Sequence, residues 1–231
     1  MPVAVKDNID VAGLPTTAAC PDFAFVPQTT APAAARLLAA GAVLIGKTNL
    51  DQSATGLVGV RTPHPIPRNA FDPVRVPGGS SSGSTVAQGL ATLALGTNTA
   101  GSGRVPAALN NLVGLKPSLG VVSTRGVVPA CRTLDCVSVF ALSVADAWAA
   151  FAALAGEDAE DPFSRPIAWQ SPAEAAPIHR LGLPRLPELD EAEGRAAWGA
   201  ARTRLAALDL GLAELDLADC HAVAQLLYDG P

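Results

Sequence analysis

Short apolar runs alternate with Ala/Leu-rich stretches along this chain, and glycine and proline punctuate the joints. Pro2-Val3-Ala4-Val5 is β-prone, which puts Lys6 at a strand end, and Val11-Ala12-Gly13-Leu14-Pro15 has the composition of a turn. Ala33 to Ala40 is helical in composition and stops at Gly41; Ala42-Val43-Leu44-Ile45 follows with no polar residue and reads as a fully apolar strand. Pro63 to Pro77 is proline-rich and predicts an irregular loop leading into Gly78-Gly79-Ser80-Ser81-Ser82-Gly83-Ser84 and an apolar Ala/Leu-rich stretch, Thr85 to Leu95. Arg104-Val105-Pro106-Ala107-Ala108-Leu109 suits the first turn of a helix with proline near its start, so Ser102 falls at the positive end of a helix dipole. Beyond a proline-punctuated tail, Pro166 to Pro187, the segment Asp190 to Leu208 reads as an amphipathic helix with Trp198, Leu205 and Leu208 as core candidates. A strand at Leu212 to Leu215 and a helix through Leu226 and Leu227 close the chain. This alternation predicts an α/β fold; no internal repeat is present, and nothing forces a second domain.

With 231 residues, 49% hydrophobic and 16% charged, the chain can bury a sizeable core and lacks the composition of a disordered segment. A net charge of −5 without a Lys/Arg cluster argues against nucleic acid as a partner. Cys20, Cys131, Cys136 and Cys220 have neither zinc-site spacing nor the density of a disulfide scaffold, so no metal or other cofactor is indicated and a reducing cytoplasm is the default compartment. Lys6 and Asp7 arrive before any apolar leader forms, and the longest uncharged apolar stretch, Ala147 to Gly156, is too short to span a bilayer. No membrane role is expected.

A rival motif lies at Gly41-Ala42-Val43-Leu44-Ile45-Gly46-Lys47-Thr48, which matches the nucleotide-binding P-loop letter for letter. In a true P-loop the strand precedes the first glycine and the four variable residues form a phosphate-cradling turn. Here those four are apolar and are themselves the strand, so an NTPase is not the reading the context supports.

The chemistry points elsewhere. Gly78 to Ser84 alone looks like a flexible linker, yet a second cluster, Gly101-Ser102-Gly103, comes after it, with Ser102 only 22 residues beyond Ser80 and an apolar segment between. Two backbone-permissive loops joined by one core element can converge on a point in space. Together with Lys6 they outline a hydrolytic site in which lysine, not histidine, activates serine.

At these residues the chain resembles the amidase signature family of serine hydrolases, from Pro2-Val3-Ala4-Val5-Lys6-Asp7-Asn8 through the Gly/Ser loop to Gly114-Leu115-Lys116-Pro117-Ser118-Leu119-Gly120. The resemblance implies a mixed central β-sheet covered by helices, and a triad of Ser102 as nucleophile, Ser80 as bridging serine in a cis peptide, and Lys6 as base. It implies an oxyanion hole from the backbone around Thr99, Ala100 and Gly101. Ser81, Asn98 and Arg104 would support the loops, a structural role being at least as natural as a catalytic one for Ser81 and Arg104. A free lysine has a pKa of about 10.4, so a lysine base near neutrality must be buried and lack a carboxylate partner; Asp7 must point away.

Within the family the likeness is greatest to the allophanate hydrolase branch, carried by Gly126 to Phe140, Asp161-Pro162-Phe163-Ser164-Arg165-Pro166 and Leu226-Leu227-Tyr228-Asp229-Gly230-Pro231. That branch implies allophanate (urea-1-carboxylate) as the small-molecule amide substrate, a substrate contact at Tyr228, a homodimer, and a functional link to a biotin-dependent urea carboxylase. Tyr228 as a plain core residue at a helix end is the alternative. Measured against the family, the chain is expected to be one amidase domain over 1–231, incomplete on both flanks and ending before an arginine that would pair with the substrate carboxylate. Asn98 stands where the family has Asp, and Ser84 to Gly96 is two residues short, which in a helix would rotate everything beyond it by about 200°. Three readings stay open: an allophanate hydrolase domain, an amidase of other specificity or an A-type amidotransferase chain, and an inactive fragment that keeps the fold.

Overall fold

Val3 and Val5 on one side of the first strand and Ala4 and Lys6 on the other set the plan of the molecule, because successive strand residues face opposite sides of a sheet. The computed structural model describes residues 1–83, 89–168, 170, 174–185 and 191–229, in two units, Met1–Ala168 and Trp169–Pro231. In the first unit, β1 (Pro2–Lys6), β2 (Val43–Thr48), β3 (Leu93–Asn98), β4 (Val113–Leu115) and β5 (Cys136–Ala141) form one sheet in the order β2-β1-β3-β5-β4. β1 runs parallel to β2 and β3, while β5 is antiparallel to β3 and β4, so the sheet is mixed, as the family resemblance implied.

One face of the sheet is large and aliphatic. Val3, Val5, Leu93, Leu95, Val137 and Val139 pack with Ala33, Ala34 and Leu37 of α1 (Pro32–Ala39) and with Ala147, Phe151 and Leu154 of α3 (Val144–Leu154). Arg36 fastens the two helices: its guanidinium donates to the carbonyls of Leu154 at 2.7 Å, Gly156 at 2.9 Å and Glu157 at 3.0 Å. The opposite face carries mostly small residues, Ala4, Ala91 and Ala94, beside the single large Phe140, packed with Ala107 of the short helix α2 (Val105–Leu109). Small side chains there let the Gly/Ser loops approach the sheet closely, and the candidate site lies on this face.

The first helix stops as its sequence predicts, with Gly41 at φ +89°, and β2 begins at once. Residues 63–77 contain no helix or strand, in line with their prolines. The Ala/Leu-rich stretch reads differently along its length: Leu93 to Leu95 belong to β3, while residues 84–88, on which the two-residue shortening bears, lie outside the described residues. β4 and β5 were not anticipated, although β5 is a central strand with every residue buried.

In the second unit, β6 (Arg180–Pro184) and β7 (Gly211–Leu215) pair in parallel, with α4 (Ala192–Ala206) between them in sequence and α5 (Ala218–Asp229) last. β6 falls in the proline-punctuated tail, Pro166 to Pro187. The core assignment for the helix needs correction: Trp198 and Leu205 are half-buried and Leu208 is 58% exposed. A two-stranded sheet offers too narrow a face to cover a helix fully. Among the described residues, no helix is long and apolar enough to cross a membrane.

Candidate functional site

Lys6 ends a strand that is flanked on both sides by parallel neighbours, and its side chain is completely buried. Its ammonium Nζ donates to Ser80 Oγ at 2.8 Å and to Thr97 Oγ1 at 2.7 Å. Burial pushes the Lys6 pKa down to about 7, against an opposing pull from the carboxylates of Asp51 and, more weakly, Asp135. Asp7 does turn away, as a lysine base requires: its carboxylate accepts from Thr17 N at 3.1 Å and pairs with Lys47 at 3.1 Å. The P-loop lookalike thus resolves into a strand whose lysine is paired with Asp7, with Gly46 and Lys47 inside β2 rather than in a turn.

The Gly/Ser loop is drawn against the sheet end by its backbone. The Gly79–Ser80 peptide is cis, Gly79 N donates to Leu57 O at 2.9 Å, and Ser80 O accepts from Asp51 N at 2.9 Å. Ser81 Oγ bridges to the end of β3, donating to Thr97 O at 3.2 Å and accepting from Thr97 N at 3.4 Å. Gly79 has no room for a side chain: a Cβ there would lie 2.0 Å from Asp51 Oδ2 and 2.6 Å from Gly59 N. Gly79→Ala is therefore expected to displace the loop, cost at least about 1–3 kcal/mol in chemical denaturation, and remove activity.

The second loop turns between β3 and α2. Gly101 O accepts from Arg104 N and Val105 N, both at 2.8 Å, and Arg104 Nη2 donates to Ala100 O. Asn98, fully buried, accepts from Gly103 N at 2.8 Å and from Arg104 Nε at 3.4 Å through Oδ1. The amide oxygen thus ties down the turn, while the buried Nδ2 has no partner among the described residues. Thr99 Oγ1 donates to Asp135, whose carboxylate also accepts from Ala130 N at 3.0 Å and Cys131 N at 3.1 Å. Ser102 sits in this turn, only 5% exposed. The N–H groups of Ala100 and Gly101 have no acceptor among the described residues, which leaves them available to a bound oxygen.

Lys6 and Ser80 are in direct contact, and Ser81, Asn98 and Arg104 all hold loop backbone. Tyr228 lies in the second unit, on α5, and is 63% exposed. Four residues that sequence reasoning did not single out complete the network. Thr97 shares Lys6, and Asn8 Nδ2 reaches both Thr97 Oγ1 at 3.3 Å and Val128 O at 3.0 Å. Both lie within the Lys6 and Ser102 motifs, where their polar side chains were a readable signal. Asp51 and Asp135 carried no such signal, since an isolated carboxylate in a loop looks like ordinary surface charge.

Along its whole length the chain is similar to known proteins. The family model described as Amidase matches residues 1–230. Urea amidolyase of Saccharomyces cerevisiae is 47% identical over 234 residues, covering 100% of this chain and 13% of that protein. A solved structure of Kluyveromyces lactis allophanate hydrolase superposes with a TM-score of 0.93 at 46% identity, covering 100% of this chain and 38% of the other. The A-type chain of a glutamyl-tRNA(Gln) amidotransferase from Symbiobacterium thermophilum is 47% identical over 164 residues, 70% of this chain and 34% of that protein. The chain therefore spans well under half the length of each of these three relatives.

Proposed function

Since the chain belongs to the amidase family, we propose that it hydrolyses a linear amide through Ser102, Ser80 and Lys6, with allophanate as substrate. The observation that supports this best is the buried Lys6, bonded to Ser80 Oγ at 2.8 Å and with its pKa brought down to about 7. A neutral Lys6 accepts the Ser80 proton as Ser80 takes the proton of Ser102. The Ser102 oxygen then attacks the terminal carbamoyl carbon. Negative charge develops on the carbonyl oxygen, where the amides around Thr99, Ala100 and Gly101 stabilise it, an effect typically worth about 3–4 kcal/mol per donor. The proton held by Lys6 returns through Ser80 to the leaving nitrogen, ammonia departs, and water cleaves the acyl-enzyme along the same relay to release N-carboxycarbamate, which loses two CO2 to leave the second ammonia.

Allophanate is favoured over the amidotransferase reading because identity to urea amidolyase runs through the whole chain, second unit included, whereas the amidotransferase relative matches over 70% of it. On this reading both units form one amidase domain, Tyr228 contacts the substrate, and the enzyme works as a cytoplasmic homodimer downstream of a biotin-dependent urea carboxylase. Ammonia release should be faster from allophanate than from acetamide or glutamine at equal concentration. A preference for glutamine or acetamide would overturn the substrate assignment.

A further inference from the structure

Asp51 stands beneath Ser80 and has no part in the relay above. It comes just after β2 in the chain, is fully buried, and its carboxylate accepts from Gly59 N at 2.9 Å and Arg61 N at 2.8 Å. Its own N–H donates to Ser80 O at 2.9 Å, and Oδ2 fills the space where a Cβ on Gly79 would project. Among the described residues it forms no ion pair, and two neutral donors compensate a buried carboxylate only in part. The charged groups that act on Lys6 are Asp51, from the loop after β2, and Asp135, from the loop before β5; Asp7 is engaged with Lys47. Of the two carboxylates, Asp51 has the larger effect.

We infer that Asp51 is a positioning residue for the base: it clamps the Gly79–Ser80 main chain and supplies the negative charge that lets buried Lys6 take up a proton during turnover. A base must start neutral and end charged. Burial alone would favour the neutral form so strongly that the proton from Ser80 would find a poor acceptor. One fixed carboxylate close by, itself held by backbone amides, moderates that penalty without forming an ion pair that would keep the lysine permanently charged. Asp51 thus couples the geometry of the bridging serine to the proton affinity of the lysine. The inference rests on the reading of Lys6 as the base.

The test is the titration of Lys6 Nζ, followed by NMR on lysine-labelled chain, in the native protein and in Asp51→Asn, alongside the pH dependence of covalent labelling by a fluorophosphonate. Asp51→Asn is expected to lower the Lys6 midpoint by about one pH unit. The acid limb of labelling moves down with it. A midpoint that stays put or rises, with only the plateau rate reduced, would mean that Asp51 is structural, and the inference fails. Should Asp51→Asn not fold, the native chain still decides the matter: the Asp51 carboxyl carbon resonance is expected to inflect at the Lys6 midpoint and to lose that inflection in Lys6→Met. Absence of the inflection overturns the coupling. If Ser102 takes no label while the Lys6 midpoint still tracks Asp51, the coupling stands and the triad reading falls.

Discussion

Ser102→Ala and Lys6→Met are each expected to lower kcat/KM for amide hydrolysis at least about 10³-fold, and the double variant is expected to fall no further. The non-additivity is the informative part. Lys6, fully buried, is bonded to Ser80 and Thr97, and in the proposed relay its proton passes through Ser80 and not through solvent. Once either end of such a relay is removed, the other has nothing to act on. Independent contributions would multiply instead, and a double variant much worse than either single one would argue against a shared relay. Steady-state kinetics of the four proteins, with circular dichroism to establish that each is folded, make the comparison.

The rate is also expected to fall tenfold per pH unit below an apparent pKa of about 7, because only neutral Lys6 can accept the proton. The sign comes from the cause: burial disfavours the charged amine and lowers its pKa, so the active form predominates above the midpoint and is lost below it. The same shift predicts a change in stability. In the unfolded chain Lys6 regains its ordinary value of 10.5, so between about 7 and 10.5 the unfolded state binds more protons than the folded one. Stability from this group therefore rises with pH across that window, and its penalty is fully present below it. Denaturation at pH 7 and pH 9 should show a gain of roughly 2 kcal/mol in the native chain that Lys6→Met lacks. An acid limb near 4, or no such gain, would remove Lys6 from the role of base.

The Lys6–Ser80 pair was legible in the sequence because each member sits in a contiguous motif whose composition is odd for any other purpose. Ser80 lies among glycines that must come within van der Waals contact of Asp51 and Gly59, and Lys6 ends an apolar strand. β1, α1 and β2 were legible from apolar runs bounded by glycine and proline. β5 was not, because Cys136-Val137-Ser138-Val139-Phe140-Ala141 is buried on both faces and so lacks an apolar/polar alternation, and its polar Ser138 obscures that burial. β4, at three residues, is shorter than any pattern can resolve. The carboxylates were missed for a different reason. What makes Asp51 and Asp135 part of the site is tertiary: one meets Ser80 and Gly59, the other Thr99 and Ala130, through contacts that residue type alone does not announce. Asn98 was expected to matter for the charge it lacks, and its oxygen proves able to hold Gly103 and Arg104 as a neutral acceptor.

Whether Ser102 becomes a nucleophile in this chain decides the mechanism. Incubation with a fluorophosphonate at pH 8, followed by peptide mass spectrometry, reads that directly. A single adduct on Ser102, absent from Ser102→Ala and from Lys6→Met, is the predicted result. An unlabelled native chain, or equal labelling of native chain and Ser102→Ala, would contradict it.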